Sequence, residues 1–406
     1  MSPPVASPVP SSRWLLPTLA LLSAVAPLAT DMYLPSLPRM AQELGSTAAG
    51  IQLTLTAFLA GLGCGQFFIG PLSDAIGRRR PLLAGALLCL VASVLCALSD
   101  TLELLVAARF LQGFSGAAGV VLARAIVADT SVGNDAARRL SLMMVIGGVA
   151  PVLAPTVGGL VAASAGWRAV FWVLAGLVAL MCVGVLAVVR ETLPPAARHG
   201  GGLGTILGNA GKVLRRRRYL GYALTVVFAF AVMFSYIAAS PFVLQNVIGL
   251  SPTVYGLAFG TNAVALILAN VANARLVGRV APERLLRAGV CGLLLATATL
   301  AALLSAPDVP KWPVLVVLWL VMACLGLVYG NGTALALGQV RELAGTGSAF
   351  LGTFQFIGGA AVAPLVGLAG EHDPRPMAVA MLGAALLSAA ALFVVAARGR
   401  DHRQAL

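Results

Sequence analysis

One acidic side chain, Asp31, lies near the end of an apolar run that begins at Trp14, and no other charged residue interrupts that run. A carboxylate at membrane depth costs roughly 2.5–3.5 kcal/mol on insertion scales, and protonation removes most of that cost. Such a group can bind a proton in one environment and release it in another. Helices tend to end before proline, so the alternative is that Pro35 and Pro38 leave Asp31 beyond the helix, in water and without a role.

Arg109 lies inside a second apolar run, and an arginine side chain keeps its charge there. At a rise of 1.5 Å per residue, Arg109 lies roughly 10 Å and Asp31 about 5–9 Å from the outer membrane surface. We therefore expect the two side chains to face each other, so that an ion pair holds Asp31 ionised and separation favours its protonation. Gln112, one helical turn from Arg109, is expected to hold the guanidinium in either state. The alternative is that Arg109 bonds only backbone carbonyls and stiffens its helix.

The elements that position these residues follow from the composition. The 406 residues are 59% hydrophobic and 10% charged, whereas a soluble protein carries about a quarter charged residues. The six cysteines all fall inside apolar runs without a CxxC pair, which is typical of small buried hydrophobic residues rather than of a disulfide framework or a metal site. The net charge of +13 is spread over short loops, which argues against a nucleic-acid partner.

We predict an all-α integral membrane protein, because apolar stretches of about 20 residues recur along the whole chain. The predicted spans are residues 14–34, 50–71, 81–99, 102–126, 140–163, 168–189, 219–241, 253–274, 286–305, 312–336, 346–369 and 376–397. They divide into a tail (1–13), a six-helix bundle (14–189), a linker (190–218), a second six-helix bundle (219–397) and a final tail (398–406). The linker contains the basic run 215–218, which is expected to fix topology and to contact anionic lipid.

The distribution of basic residues predicts the orientation in the membrane. Most of the 27 lysine and arginine residues lie in the tails or in loops after even-numbered spans, and the exceptions in the opposite loops are Arg39, Arg168, Lys311 and Arg375. The positive-inside rule then places both ends of the chain in the cytoplasm.

An internal repeat supports the division into two halves. The segment 70–85 aligns with 274–289, and the segment 154–158 aligns with 363–367, at nearly equal offsets. Two parallel six-helix halves are the architecture of alternating-access transporters, whose substrate site lies near the midplane between the halves.

Four motifs resemble the major facilitator superfamily, and the likeness covers the whole chain. The segment 70–80 (GPLSDAIGRRR) is similar to its loop signature between spans two and three, and 105–118 (LVAARFLQGFSGAA) to the span-four motif of its proton-coupled members. The segment 154–159 (APTVGG) resembles the antiporter motif of span five, with Ala154 where glycine is usual. The segment 30–38 (TDMYLPSLP) resembles the first span of Bcr/CflA-like drug:proton antiporters, the chloramphenicol- and bicyclomycin-type efflux pumps.

The loop between spans two and three is expected to form a cytoplasmic gate. Its residues are Gly70, Asp74, Gly77, Arg78, Arg79 and Arg80. Gly77 permits a tight turn, and the Asp74 carboxylate can cap a helix N-terminus. The resemblance implies that the helix capped by Asp74 is span eleven, which starts at 345–348. Asp74 would then act as a latch between the halves. The alternative is a turn that fixes topology and does not switch.

Span five is expected to be a kinked, tightly packed hinge, because small residues let helices approach closely and prolines bend them. Its hinge residues are Pro151, Pro155, Gly158 and Gly159. Only the resemblance implies a further role, which is to seal the protein against ion leak during exchange.

The substrate site is expected to be mostly apolar with a few placed polar groups. The candidate side chains are Tyr33, Phe230, Phe234, Tyr236, Asn262, Asn270, Tyr329, Asn331 and Gln355. Each aromatic residue taken alone is also typical of a lipid-facing or core position, whereas the asparagines of span eight are poorly placed against lipid.

The sequence contains no GxxxxGK[ST] phosphate loop, so it shows no site at which ATP hydrolysis could drive transport. No cofactor is expected. We therefore predict a monomeric transporter of the cytoplasmic (inner) membrane, not an enzyme, that exports small apolar drugs in exchange for protons. Its expected partners are the drug, protons and membrane lipid. The alternatives are a proton symporter or facilitator that imports a nutrient, and a membrane enzyme, which should show clustered His, Cys or carboxylates at one membrane face.

Overall fold

The computed structural model describes residues 13–131, 133–195, 198, 208, 211–368 and 370–396, and these residues form an almost entirely helical protein. Most of both predicted tails, and the linker residues 196–197, 199–207 and 209–210, lie outside the described residues. Eleven of the described helices are long and apolar enough to cross a membrane, and the shorter apolar stretch Val149–Ala165 lies in a twelfth.

The first half contains six long helices. They are α1 (Leu15–Asp31), α2 (Ala48–Ile76), α3 (Arg79–Leu98), α4 (Leu102–Thr130), α5 (Gly133–Ala165) and α6 (Trp167–Val188). A 3₁₀ turn (Leu34–Ser36) and a short helix (Leu37–Glu43) continue α1 with a change of pitch, because the prolines at 35 and 38 lack the N–H that an α-helix needs.

The second half repeats the arrangement. Its helices are α7 (Arg217–Phe242), α8 (Pro252–Leu276), α9 (Pro282–Leu304), α10 (Lys311–Gly338), α11 (Ala344–Val362) and α12 (Arg375–Ala390). Short irregular turns extend α7, α11 and α12: a π-helical turn at Val243–Val247, a 3₁₀ turn at Leu365–Gly367 and a π-helical turn at Ala391–Ala396.

Each half is a six-helix bundle, and the two bundles meet along two helix pairs, α2 with α11 and α5 with α8. The predicted fold class, an all-α membrane protein of two six-helix bundles, is confirmed. We call the end of the molecule that carries Gly77 and Arg78 the basic end, and the other end the distal end. The sequence predicts that the basic end is cytoplasmic.

Glycine allows the helices to pack closely at the distal end. A Cβ atom added to Gly256 of α8 would lie 2.9 Å from the carbonyl carbon of Pro155 in α5, and one added to Gly159 would lie 2.9 Å from the carbonyl oxygen of Pro252. Because side chains larger than hydrogen would hold the backbones apart, these two positions set the separation of the halves at this end.

Candidate functional site

Asp31 is the last residue of α1, and its side chain is turned into the protein. The residue is only 5% exposed. The 3₁₀ turn and the short helix that follow it continue toward the distal end. No described residue forms a hydrogen bond or an ion pair with its carboxylate, and the neighbouring Thr30 hydroxyl donates to the Ala26 carbonyl oxygen instead (2.7 Å). The alternative that Asp31 lies beyond the helix, in water, is therefore wrong.

Asp31 lines a cavity of about 300 Å³ between the two halves. The wall is almost wholly apolar and aromatic, with Asp31 its only charged side chain. The lining residues are Ala26, Pro27, Thr30, Asp31, Leu59, Leu62, Pro151, Phe230, Met233, Phe234, Tyr236, Ile237, Phe259, Asn262, Ala263, Leu266, Met322 and Phe356. A cavity of this size and chemistry suits a small apolar molecule with one group that interacts with a carboxyl.

Contacts between the halves close the cavity at the distal end. Three hydrogen bonds join the halves among the described residues, and all use side-chain donors with backbone acceptors. They run from Gln52 to the Ala238 carbonyl (2.9 Å), from Thr56 to the Ala360 carbonyl (3.0 Å) and from Gln245 to the Pro35 carbonyl (3.1 Å). Along each helix that carries one of these contacts, the cavity-lining residues lie closer to the basic end than the contact does. The structure is therefore a conformation closed at the distal end.

Arg109 is fully buried, but it does not form the expected ion pair with Asp31. Its Nη1 donates to the Ala29 carbonyl oxygen (3.0 Å) and to Gln112 Oε1 (2.6 Å). The Gln112 side chain in turn donates to Ser93 Oγ (2.8 Å). The expected pairing was wrong because the α1 backbone, rather than the Asp31 side chain, presents the acceptor. Gln112 does hold the guanidinium, as expected.

Aromatic rings enclose the rest of the Arg109 guanidinium. Its carbon lies 4.4 Å from the ring centre of Tyr33, 4.3 Å from that of Phe58 and 5.8 Å from that of Phe171. The Nε and Nη2 atoms have no hydrogen-bond acceptor, so the ring faces provide their electrostatic compensation. Tyr33 therefore packs on Arg109, with its hydroxyl 3.2 Å from Thr54 Oγ1, and does not line the cavity as predicted.

Four of the predicted substrate residues, Phe230, Phe234, Tyr236 and Asn262, do line the cavity. Phe230 and Phe234 lie one turn apart on α7, with ring centres 4.6 Å apart. The Tyr236 ring stacks on Phe259 of α8 at 5.3 Å, and Asn262 donates to the Tyr236 hydroxyl (2.8 Å).

The other predicted substrate residues lie outside the cavity wall. The Tyr329 hydroxyl is directed at the Ala229 carbonyl (3.4 Å), and Asn331 donates to Asn273 Oδ1 (2.6 Å), so both satisfy polar groups within the second half. Asn270 is exposed, and Gln355 is half-buried beside the lining residue Phe356. The helical register explains these differences, because one position along a helix turns a side chain by about 100°.

Sequence reasoning missed several lining residues, among them Phe259, Phe356, Met233 and Met322. Their types are common in any apolar helix, so composition gives no signal for them. The one available signal was spacing: Phe259 lies one turn before Asn262, which puts both on one face of α8.

The predicted gate at the basic end is held by a network of charged side chains. Arg78 donates to Asp129 Oδ2 (3.1 Å) and also bonds Asp74 and Ser73. Arg80 is exposed, and Gly70 packs near Val121 of α4. The network connects the loop to the end of α4, within the first half.

Glu191, just after α6, is a member of this network that sequence reasoning missed. Its carboxylate accepts from the backbone N–H groups of Arg78 (2.8 Å) and Arg79 (3.2 Å), at the start of α3. Burial raises the pKa of this carboxyl, but the backbone N–H donors outweigh burial and lower it below its ordinary value. Gly77 has φ of 97°, and a Cβ there would collide with Glu191, so the loop requires glycine.

The expected latch between Asp74 and the start of α11 is not formed in this conformation. The Asp74 side chain is 47% exposed and pairs with Arg78, and among the described residues no hydrogen bond or ion pair links it to α11.

The four predicted hinge residues lie where α5 meets α1 and α8. Pro151 lines the cavity, and Pro155 contacts Gly256. A Cβ on Gly158 would overlap the carbonyl oxygen of Met32, the residue after Asp31. The α5 segment therefore supports the backbone that carries Asp31 on one side and meets the second half on the other.

Comparison with known proteins agrees with this geometry. The family model described as Major Facilitator Superfamily matches residues 19–364. An uncharacterized MFS-type transporter, YdgK, of Bacillus subtilis is 39% identical over 92% of this chain and 93% of its own. The bicyclomycin resistance protein homolog of Haemophilus influenzae is 28% identical, over 95% and 97%. The multidrug resistance protein MdtL of Klebsiella pneumoniae is 28% identical, over 95% and 96%.

Solved structures show the same fold. A bacterial homolog of the human lysosomal transporter Spinster, in an inward-facing and unoccupied conformation, superposes with a TM-score of 0.75 at 15% identity, over 97% of this chain and 98% of that one. The nucleoside transporter NupG superposes with a TM-score of 0.74 at 13% identity, over 94% and 98%. These proteins are transporters and not enzymes.

Proposed function

We propose a function from one premise: the chain belongs to the major facilitator superfamily. It is a multi-pass membrane transporter, and we infer that it exports small, fairly apolar drugs from the cytoplasm in exchange for protons. The names of the bicyclomycin-resistance and multidrug-resistance relatives support the substrate class. The basic end then faces the cytoplasm, the membrane is the inner membrane, and the transporter acts as a monomer.

The observation that carries this proposal is the setting of Asp31. Its carboxyl is buried, has no hydrogen-bond partner among the described residues, and is the only charged group on the wall of the cavity between the halves. A carboxyl in such a place binds a proton readily when its surroundings are dry and releases it when they become polar. The proton and the drug therefore meet the same cavity, which allows the occupancy of one to depend on the other.

The driving force is sufficient for useful export. One charge that moves through 100 mV supplies roughly 2.3 kcal/mol, which sustains about a fifty-fold drug gradient. Arg109, fixed to the α1 backbone and to Gln112, holds a permanent positive charge beside the helix that carries Asp31. The charged network at Asp74, Arg78 and Glu191 fixes the loop that closes against α11 when the cavity opens to the distal end.

The direct test is transport into inverted membrane vesicles that contain this protein, with chloramphenicol and bicyclomycin as probes. We expect an inside-acidic pH gradient to drive uptake of at least one probe, a protonophore to abolish it, and Asp31→Asn to reduce it to the level of vesicles without the protein. An importing symporter would instead move its substrate out of acidic inverted vesicles. A probe panel with no pH-driven uptake, or full uptake by Asp31→Asn, would contradict the proposal.

A further inference from the structure

The cavity between the halves contains no counter-charge for Asp31. No described basic residue lines the cavity. Arg109, which α4 places against α1, donates to the Ala29 carbonyl oxygen and to Gln112 and is enclosed by aromatic rings. The helices α2, α5 and α6, which also pack against α1, carry their described charged residues only near their ends. The buried carboxyl is therefore neutralised either by a proton or by a cation that enters the cavity.

The other polar side chains of the cavity wall already have hydrogen-bond partners. The Thr30 hydroxyl donates to the Ala26 carbonyl oxygen (2.7 Å), and the Asn262 amide donates to the Tyr236 hydroxyl (2.8 Å). The tyrosine is uncharged near neutral pH, and the remaining lining residues are apolar. A ligand with many hydroxyl or amide groups loses hydrogen bonds to water that this wall does not replace, so the wall disfavours such a molecule.

An aromatic cluster of Phe230, Phe234 and Phe356 lines the cavity from the second half. The ring centre of Phe230 lies 4.6 Å from that of Phe234 and 5.5 Å from that of Phe356. The planes of Phe230 and Phe356 are inclined at 82°, so the cluster turns ring faces in more than one direction. Ring faces attract cations, and sets of such rings bind quaternary ammonium groups.

The cavity is small enough for one ligand to reach both the carboxyl and the rings. A sphere of its volume, about 300 Å³, is about 8 Å across, and Asp31 and the aromatic cluster line this same space. A compact molecule with one positive charge on an apolar body can therefore neutralise the carboxylate and contact the rings at the same time.

We propose that the cavity is selective for lipophilic monocations, whose ammonium group replaces the proton on Asp31 while the apolar body lies against the aromatic cluster. This inference rests on the proposed function and names its substrate class. Binding of the cation to the protonated carboxyl releases one proton and leaves an ion pair. Exchange of such a cation for one proton moves no net charge, so the pH difference drives it, whereas export of a neutral drug also draws on the membrane potential.

Two probes of the same shape test the charge selectivity. Benzyltrimethylammonium carries a permanent positive charge, and neopentylbenzene has a carbon atom in place of the nitrogen. Binding to the purified protein in lipid nanodiscs, corrected for nanodiscs without protein, is measured by calorimetry from about pH 5 to about pH 8. We expect the affinity for the cation to rise by up to about tenfold per pH unit, with one proton released per ligand, and that for the neutral probe to stay constant. At the upper pH the cation should bind at least about tenfold more tightly.

Variants assign this selectivity to the carboxyl and to the rings. Asp31→Asn should lose the pH dependence and the proton release, and its binding of neopentylbenzene shows that the cavity is intact. Phe356→Leu should weaken binding of the cation by about fivefold but that of the neutral probe by less than about twofold, because leucine keeps the apolar contact and loses the ring face. The matched control is Phe354→Leu on the same helix, which is 36% exposed and does not line the cavity, and it should change neither affinity.

The wild-type protein alone can overturn the inference. It is wrong if the cation fails to bind, binds no more tightly than neopentylbenzene at the upper pH, or binds with an affinity that does not depend on pH. The proposed function still stands if chloramphenicol or bicyclomycin shows pH-driven uptake that requires Asp31. Conversely, the proposed function fails, and this inference about binding does not, if the cation binds with proton release but no probe is taken up by inverted vesicles.

Discussion

The Arg109 guanidinium illustrates how contacts on both its faces and its edge fix the position of one side chain. Two planar rings lie at 4.3 and 4.4 Å from its central carbon, while one edge donates to a carbonyl of α1 and to Gln112. Only a flat, delocalised cation can use its faces and its edge at the same time. The charge is therefore fixed in orientation as well as in position, behind the backbone that carries Asp31.

We therefore predict that Arg109→Lys, although it keeps the charge, lowers pH-driven drug uptake by at least about tenfold, because cation–π and hydrogen-bond contacts in a dry site contribute on the order of 2 kcal/mol. Initial uptake rates in inverted vesicles, corrected for protein amount, measure this. The control Arg39→Lys changes an exposed arginine of a surface ion pair and should alter the rate by less than about twofold. Equal rates for Arg109→Lys and wild type would show that charge alone suffices.

Glu191 allows a second prediction for a single residue, which concerns the pH dependence of the protein's stability. Because its pKa is lowered in the folded protein, the stability it contributes is present above the ordinary value of 4.5 and is lost as the pH falls through the lowered pKa. Glu191→Gln should therefore melt a few degrees below wild type near neutral pH, and the difference should shrink as the pH falls below 4.5 and through the lowered pKa. Thermal melting of the purified proteins across this range measures it. A pH-independent difference would assign the effect to packing rather than to charge.

At the scale of helices, the close contact between α5 and α8 sets the conformation. The backbones of Pro155 and Gly256 approach so closely that any added methyl group must push the halves apart at the distal end. Overpacking of this kind costs typically about 1–3 kcal/mol, but only in the conformation that contains the contact. Under the proposed function, the contact therefore sets the balance between the two conformations rather than the fold of either half.

Gly256→Ala is accordingly expected to shift the protein toward a conformation open at the distal end, by about fivefold or more in population. Hydrogen exchange of the distal halves of α2 and α7 should become faster. Gly176→Ala on α6 is the matched control, since a Cβ there meets nothing within 4 Å, and it should leave exchange unchanged. Slower or unchanged exchange in Gly256→Ala would contradict this view of the interface.

The helices also show which features the sequence could predict and which it could not. The lengths of the apolar runs located the membrane spans. The prolines after Asp31 indicated only that the helix could end there, and the structure shows that a 3₁₀ turn and a short helix continue it. Sequence reasoning also found Asp31, Phe230 and Asn262, because polar or paired aromatic residues stand out in apolar helices. It could not predict that Arg109 bonds a backbone carbonyl, or that Asn331 turns toward Asn273, because a side chain's direction depends on how helices rotate against one another.

At the scale of the whole molecule, the two halves differ in what they bring to the cavity. The first half contributes the acid, with a fixed cation behind it, and the second contributes the aromatic wall with its Tyr236–Asn262 pair. The distal contacts use side-chain donors on backbone acceptors, which can form and break without leaving a charge buried. Under the proposed function, such contacts allow the halves to rock between two conformations while proton binding remains on Asp31.

The most direct test of this account is drug-driven proton movement in proteoliposomes that contain a pH-sensitive dye, with a probe that the vesicle assay has identified. For wild type, we expect an imposed probe gradient to move protons in the opposite direction, and for Asp31→Asn we expect exchange of labelled for unlabelled probe without any proton movement. Proton movement by Asp31→Asn equal to that of wild type would contradict the central claim that this carboxyl couples the drug to the proton.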